Sequence, residues 1–282
     1  MTAAPLVTRF APSPTGYMHL GHAYAALVAW TAARTTGGRF LIRIEDIDGG
    51  RCRPEFERAI YEDLAWLGLD WELPVRRQSE HMEDYAAALS RLDELGVIYP
   101  CFCTRSEIRA EIKNAGEAPH GPDGPIYPGT CRALSFEERR TRILMGEAHA
   151  WRLDVARALD ITGPLEWRDR KAGVQKADPL AHGDVVVGRK DVPTSYHLAV
   201  TVDDCLQGVT LVTRGDDLFA ATSVHRLLQA MLELPVPSWH HHPLITDSNG
   251  VRLAKRNRAT TLRSLRQTGK TPAQVRAMVG FD

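Results

Sequence analysis

The chain has 282 residues, 35 Lys and Arg against 35 Asp and Glu, and 44% apolar residues. This is material for one large or two small domains with a buried core, and it excludes a disordered or strongly polyionic chain. The start, MTAAPLVTRF, has no basic segment leading into an apolar one, and the longest nearly apolar run, AYAALVAWTAA, is too short to span a bilayer, so a cytoplasmic location is expected.

In chain order, PLVTRF reads as a first strand, YAALVAWTAAR as the following helix and RFLIRIEDID as a second strand with Leu41, Ile42 and Ile44 as its apolar content. Pro54 opens a helix through EFERAIYEDLAWLGL, where Phe56, Ile60, Leu64 and Leu67 recur at helical spacing, and HMEDYAAALSRLDELG is a further helix ending at Gly96. This alternation predicts an α/β fold with a parallel, Rossmann-like sheet. The pattern breaks over 99–133, whose Gly and Pro content reads as an irregular insertion. A helix near 135–146 and short strands in WRLDV and DVVVGR follow, and YHLAVTVDD and GVTLVTRGDDL both carry strong strand signals. The helix SVHRLLQAMLEL is closed by Pro235 and Pro237, and HHPLITDSNGVRLAKR reads as a hairpin turning at DSNG. From Val251 to Asp282 eight Arg or Lys residues face one acid, a basic patch that suits RNA or an ordinary solvated helix.

No G-x-x-x-x-G-K-[ST] or G-x-G-x-x-G loop occurs, so a nucleotide on this sheet needs another cradle. APSPTGY makes a stiff loop after the first strand, and His19 and His22 fall at the first turn of the next helix. There, open backbone N–H groups and the helix dipole favour an anion. Two imidazoles add hydrogen bonds to a triphosphate, and Gly21 between them lets ribose or adenine approach the backbone. Taken alone, the pair is as readily incidental, and no third metal ligand stands near it.

Of five cysteines, Cys52 and Cys205 stand alone, whereas Cys101, Cys103 and Cys131 share the Gly/Pro-rich segment. Three thiols in a module too irregular to bury much core suggest structural zinc, with buried thiols lacking metal as the alternative. His120 is the chemically usual fourth ligand. Alternation sends His240 and His242 to one face of a strand and His241 to the other, and these are read as strand-end residues that border any nucleotide site at this sheet edge, not as a metal site.

RFAPSPTGYMHLGH closely resembles the opening of class I glutamyl-tRNA synthetases, with His19-Leu20-Gly21-His22 in the place of their HIGH signature. The resemblance continues through RIEDID (43–48), YHLAVTVDD (196–204), TRGDDL (213–218) and RLAKR (252–256), the last in the place of the KMSKS loop, and so spans nearly the whole chain. It implies a Rossmann-like class I catalytic domain in which the α-carboxylate of L-glutamate attacks the α-phosphorus of ATP. Mg2+ is expected to bridge the phosphates, with no residue here nameable as its ligand. By resemblance, His19, Gly21 and His22 hold ATP and Lys255 neutralises the departing pyrophosphate. Arg214 takes the glutamate side-chain carboxylate, Glu45 its α-ammonium, and Arg9, Ser13 and Tyr196 complete the pocket. An arginine can only donate, which discriminates against the amide of glutamine. Without the family, Arg9 and Glu45 read equally well as a surface ion pair. Arg252 replaces the first lysine of the loop and Ala254 its serine, so a working but slower loop is expected. For the metal, the family pattern C-x-C…Y-x-x-x-C points to Tyr127, leaving Tyr127 and His120 as alternative fourth ligands.

Length, this cysteine–tyrosine pattern and RLAKR further resemble the short paralogues of these enzymes, which lack the anticodon-reading region and carry glutamate to the queuosine base in the anticodon of tRNA(Asp). The chain ends twenty-six residues after Arg256, and no such region is expected. The expected division is 1–98 and 184–250 as halves of the catalytic domain, 99–183 as a zinc-bearing insertion, and 251–282 as the KMSKS-like loop with its basic segment. The insertion and the basic segment would flank the anticodon stem-loop of tRNA(Asp). A monomer is expected. Two rival readings are a minimal synthetase charging a tRNA 3′ end and a non-catalytic glutamate- and ATP-binding regulator. Retention of His19, His22 and Lys255 together argues against the second.

Overall fold

The computed structural model describes residues 5–114, 120–122, 124–245 and 260–281, the side chains of 109, 111–114, 120, 121 and 125 apart. The chain begins β1 (Val7–Phe10), α1 (Leu20–Arg34), β2 (Arg39–Ile44), α2 (Pro54–Trp66), β3 (Glu72–Arg77) and α3 (Met82–Glu94), as read from the sequence except for β3, which was not expected between the two helices. Gly96, at φ +64°, ends α3 in the left-handed region that favours glycine. Then come β4 (Ile98–Cys101), α4 (Arg105–Asn114), β5 (His120–Gly121), β6 (Gly124–Pro125), α5 (Phe136–Leu144), β7 (Ala150–Leu153) and α6 (Val155–Thr162). β8 (Glu166–Asp169), β9 (Gly173–Lys176), β10 (Val186–Gly188), α7 (Tyr196–Leu206) and β11 (Leu211–Gly215) follow. α8 (Thr222–Met231), β12 (Ser238–His242), α9 (Leu262–Gln267) and α10 (Pro272–Met278) complete the described order.

β1 pairs in parallel with β2, placing Arg9 opposite Leu41, and β2 pairs in parallel with β3. β11 pairs in parallel with β12, with Arg214 opposite His241. Thr210 N donates to Val7 O at 2.9 Å, which brings the start of β11 alongside β1. β1 therefore has β2 on one flank and β11 on the other. Connections reverse direction at such a strand, and open α/β sheets bind ligands beyond the carboxyl ends of the strands there. Arg9, Glu45 and Arg214 all fall at or just past those ends.

Two larger apolar cores organise the described helices, the first against these strands. Ala23, Ala26, Leu27, Ala29 and Ala33 of α1 pack with Ile42, Ile60, Leu64, Leu262 and Val275, joining α2, α9 and α10 to the first strands. Tyr85, Leu92, Leu198, Val224 and Leu227 form the second, among α3, α7 and α8. Each large aliphatic side chain so buried contributes about 1.5–3 kcal/mol.

One expectation is overturned: YHLAVTVDD is the helix α7 and not a strand. Ser195 caps its start by accepting from Leu198 N. Its residues from Leu198 to Asp204 are all buried, so the run lacks a polar face. A short, continuously buried segment rich in Val and Thr carries no periodicity that separates strand from helix, and packing against α3 and α8 decides it.

β4, β7 and β10 form a separate antiparallel sheet that carries the cysteine-bearing segment. Within the span expected as an insertion, β8 instead pairs with β12, Trp239 opposite Asp169, and so extends the sheet of β11. The expected DSNG turn and the RLAKR loop, with Lys255, lie outside the described residues. Among the described residues no helix is long and apolar enough to cross a membrane.

Candidate active site

The loop after β1 is fixed by its prolines. Pro12 and Pro14 are buried, and their carbonyls accept from Glu45 N at 3.1 Å and Arg53 N at 3.0 Å. His19 is the N-cap of α1, its Nδ1 accepting from Gly21 N at 3.1 Å, while His22 Nδ1 accepts from His19 N at 3.2 Å. The two ring centroids lie 3.9 Å apart. A neutral imidazole that accepts at Nδ1 carries its hydrogen on Nε2, so the capping bonds set both rings in the tautomer that donates from Nε2. The donors stand where the open N–H groups of α1 begin.

Described residues from β12 and from the start of α9 meet α1 and the turn before it. Leu262 N donates to Met18 O at 2.8 Å and His19 bridges to Thr261, while His242 packs edge-on to Tyr24 of α1 at 5.0 Å.

The residues expected to hold glutamate converge from β1, β2, α7 and β11. Arg9 is buried, with Nε 2.9 Å from Asp204 Oδ1 and Nη1 3.1 Å from Thr213 O. Arg43, fully buried, reaches Asp204 at 2.8 Å, Glu45 at 3.3 Å and Asp203 at 3.6 Å. Burial raises the Glu45 carboxyl, against the opposing pull of Arg43 and Arg9. Burial acts the same way on Asp204, but there Arg9 and Arg43 prevail and hold the group below its usual value. Arg9 is thus an interior residue with its own partner, not half of a surface ion pair with Glu45.

Arg214 differs in kind. Its Nε is 3.2 Å from His241 Nε2, Nη1 is 3.0 Å from His225 Nδ1, and Nη2 is 2.6 Å from Thr222 Oγ1. Among the described residues no carboxylate lies within ion-pair distance of it. Burial, then the nearby Arg9 charge, lower its pKa, and the phenol of Tyr196 lies beside it. A buried cation with neutral partners is costly until an anion joins it.

Ser13, Glu45, Tyr196 and His197 line a cavity of about 680 Å3. Its other walls include Arg51, Arg105, Arg152, Arg189 and Tyr127, so one cavity joins the Glu45–Tyr196 end to the foot of the cysteine module. His19 and His22 form a separate cluster at the start of α1.

In that module the Sγ atoms of Cys101, Cys103 and Cys131 lie within 4.8 Å of one another, with Cys103 and Cys131 3.4 Å apart. Tyr127 Oη is 3.4 Å from Cys101 Sγ and 3.6 Å from Cys103 Sγ. Tetrahedral zinc with Zn–S bonds of about 2.3 Å needs sulfurs roughly 3.8 Å apart, which this spacing meets. Burial pushes the Cys103 thiol up to about 12, a penalty that a divalent cation offsets because the thiolate is the ligand. The backbone of His120 is in β5, and its side chain is outside the described set. Tyr127 is therefore the described group that closes the cluster.

Sequence reasoning missed His225, Thr222, Asp169 and the Arg43–Asp203–Asp204 strut. Asp203 alone accepts from Arg76 at 2.7 Å, Gln78 at 2.9 Å and Tyr85 at 2.9 Å. The one signal available was the acid pair ending YHLAVTVDD, two carboxylates closing an otherwise apolar run.

Residues 5–280 match the model of the class I tRNA synthetases (E and Q), catalytic domain. The glutamyl-Q tRNA(Asp) synthetase of Rhodobacter capsulatus is 47% identical over 98% of this chain and 100% of its own length. The chain belongs to the glutamyl-Q tRNA(Asp) synthetases. Their representative in Symbiobacterium thermophilum is 45% identical over 96% of this chain and 84% of its own. Among solved structures, glutamate-tRNA synthetase from Elizabethkingia anophelis superposes with a TM-score of 0.83 at 26% identity, covering 97% of this chain. The glutamate tRNA ligase of Elizabethkingia meningosepticum, in complex with its amino acid, gives 0.80 at 25% identity over 98% of this chain. The chain spans 61% and 60% of those two structures respectively.

Proposed function

We propose that the protein activates L-glutamate with ATP and transfers it to the queuosine base at the wobble position of the tRNA(Asp) anticodon. In the first step an α-carboxylate oxygen of glutamate bonds to the α-phosphorus of ATP and pyrophosphate leaves. In the second, a hydroxyl oxygen of the queuosine cyclopentene ring attacks the activated carbonyl carbon and AMP leaves. The observation that carries the glutamate reading is Arg214, a buried guanidinium whose hydrogen-bond partners among the described residues are neutral, beside the phenol of Tyr196.

In this reading Arg214 binds the side-chain carboxylate and Glu45 the α-ammonium, with Arg9, Ser13 and Tyr196 shaping the pocket. His19 and His22 donate to the ATP phosphates beside Gly21, and Lys255 neutralises the leaving pyrophosphate, with Mg2+ on the nucleotide. Such steps need alignment and charge neutralisation more than a protein nucleophile. Zinc is held by Cys101, Cys103, Cys131 and Tyr127 as a structural centre. Residues 1–98 and 184–250 are the catalytic halves, 99–183 carries the metal module, and the basic 251–282 segment meets the anticodon stem-loop. The protein acts as a monomer.

The test is glutamate-dependent exchange between ATP and pyrophosphate in the presence of total tRNA. Arg214→Gln should raise the KM for glutamate by about 100-fold, the loss expected when a charged hydrogen-bonding partner is removed. Unchanged glutamate kinetics would remove Arg214 from the pocket.

A further inference from the structure

Arg214 sits in a cradle whose proton order can be read from its contacts. A guanidinium has five N–H donors and no acceptor, so both imidazoles that touch it must accept. His241 does so through Nε2 at 3.2 Å, and His225 through Nδ1 at 3.0 Å. The second nitrogen of each ring then bears the hydrogen. His241 donates from Nδ1 to Asp169 Oδ2 at 2.9 Å, and His225 from Nε2 to His197 Nδ1 at 3.1 Å. His197, accepting at Nδ1, keeps its hydrogen on Nε2, and it lines the cavity.

The cradle is built into the sheet. Strand register sets His241 beside Arg214, and β8 brings Asp169 next to β12. Asp169 also accepts from the backbone N of Lys171 and Ala172, both at 2.8 Å, and of His241 at 3.0 Å. Trp167 and Phe219 pack against the His241 ring, with centroids 5.6 and 4.8 Å away. Burial and the Arg214 charge hold His241 down to about 4 and His225 well below its usual value, so neither ring becomes a competing cation near neutrality.

We propose that His225 and His241 are positioning residues for Arg214, neutral acceptors that fix its guanidinium so that one N–H on each Nη is left for Tyr196 and a ligand carboxylate. This rests on the reading of Arg214 as the partner of the glutamate side chain. The cradle thereby sets selectivity for glutamate over glutamine without touching either.

The experiment compares variants that keep or lose the accepting atom. Asn places an oxygen where Nδ1 of histidine lies, and Gln reaches the place of Nε2. His225→Asn should retain more glutamate affinity than His225→Gln, and His241→Gln more than His241→Leu. The acceptor-lacking member of each pair should raise the KM for glutamate by about 10-fold or more, the scale of one charged hydrogen bond, with the KM for ATP unchanged. Members of a pair behaving alike, or equal losses for ATP and glutamate, overturn the positioning role. If one pair fails to fold, as read from thermal melting, the other decides. Arg214→Gln is the reference. If it alone loses glutamate and the histidine pairs do not split, only the cradle inference fails; if it loses nothing, the carboxylate reading fails with it.

Discussion

Arg43 shows how the interior electrostatics of this protein are arranged. It is 0% exposed and shared among Asp204, Glu45 and Asp203, so it links the end of β2 to the acid pair closing α7. Through Asp204 the same network holds Arg9 in place. Removing one member strands the others in a low-dielectric interior, which costs about 3–5 kcal/mol. Arg43→Met should therefore lower the unfolding free energy by that amount in urea titrations. A loss below about 1 kcal/mol would show that the acids relax into solvent and that the strut is not structural. Arg214 is the converse case, a buried cation whose hydrogen-bond partners among the described residues are neutral, as the proposed carboxylate-binding role requires.

At the scale of elements, α2 and α9 meet over a buried carboxyl. Asp63 on α2 is 0% exposed, and among the described residues neither of its oxygens has a hydrogen-bond partner. Arg266 of α9 comes only to 3.7 Å, its Nη2 lying 3.1 Å from Glu62. Burial raises Asp63 from 3.8 to about 6. Between about pH 4 and 6 the folded chain keeps a proton that the unfolded chain has released, so this group removes stability as the pH rises through that window. The gap corresponds to at most about 3 kcal/mol at neutral pH. Asp63→Asn should accordingly raise the melting temperature at pH 7.5, with the gain shrinking towards pH 4.5; a gain independent of pH would contradict the burial argument. The cysteine module gives a second test at this scale. Purified protein should contain about one zinc per chain, lost in the Cys101→Ser/Cys103→Ser double variant. A metal-free, fully folded wild type would overturn the zinc assignment.

Legibility differed by element for physical reasons. The first two strands and the helices α1, α2 and α3 follow from periodicity and punctuation, Gly96 ends α3 where the sequence places it, and the short polar β3 was not read. HLGH and RIEDID are local motifs, so His19, His22 and Glu45 could be found without coordinates. α7 could not be distinguished from a strand because it is buried along most of its length. The cradle of Arg214 was invisible for another reason. His225, His241 and Asp169 come from α8, β12 and β8, and only strand register and packing bring them together. The tyrosine beside the cysteine cluster needed the family pattern, since chemistry alone favours a histidine as fourth ligand.

Across the whole molecule, Ser13, Glu45 and Tyr196, three of the residues proposed to hold glutamate, line one cavity together with Arg51, Arg105, Arg152, Arg189 and Tyr127. Arginines suit a phosphate backbone, and in the proposed function those of this cavity would meet the RNA acceptor on the side of Tyr196. The most direct measurement is transfer of labelled glutamate, with ATP, onto total tRNA, followed by nuclease mapping of the label. The account predicts label in the anticodon loop of tRNA(Asp), and none on tRNA(Asp) that lacks queuosine. Label on a 3′-terminal adenosine would contradict it and make the protein a minimal charging synthetase.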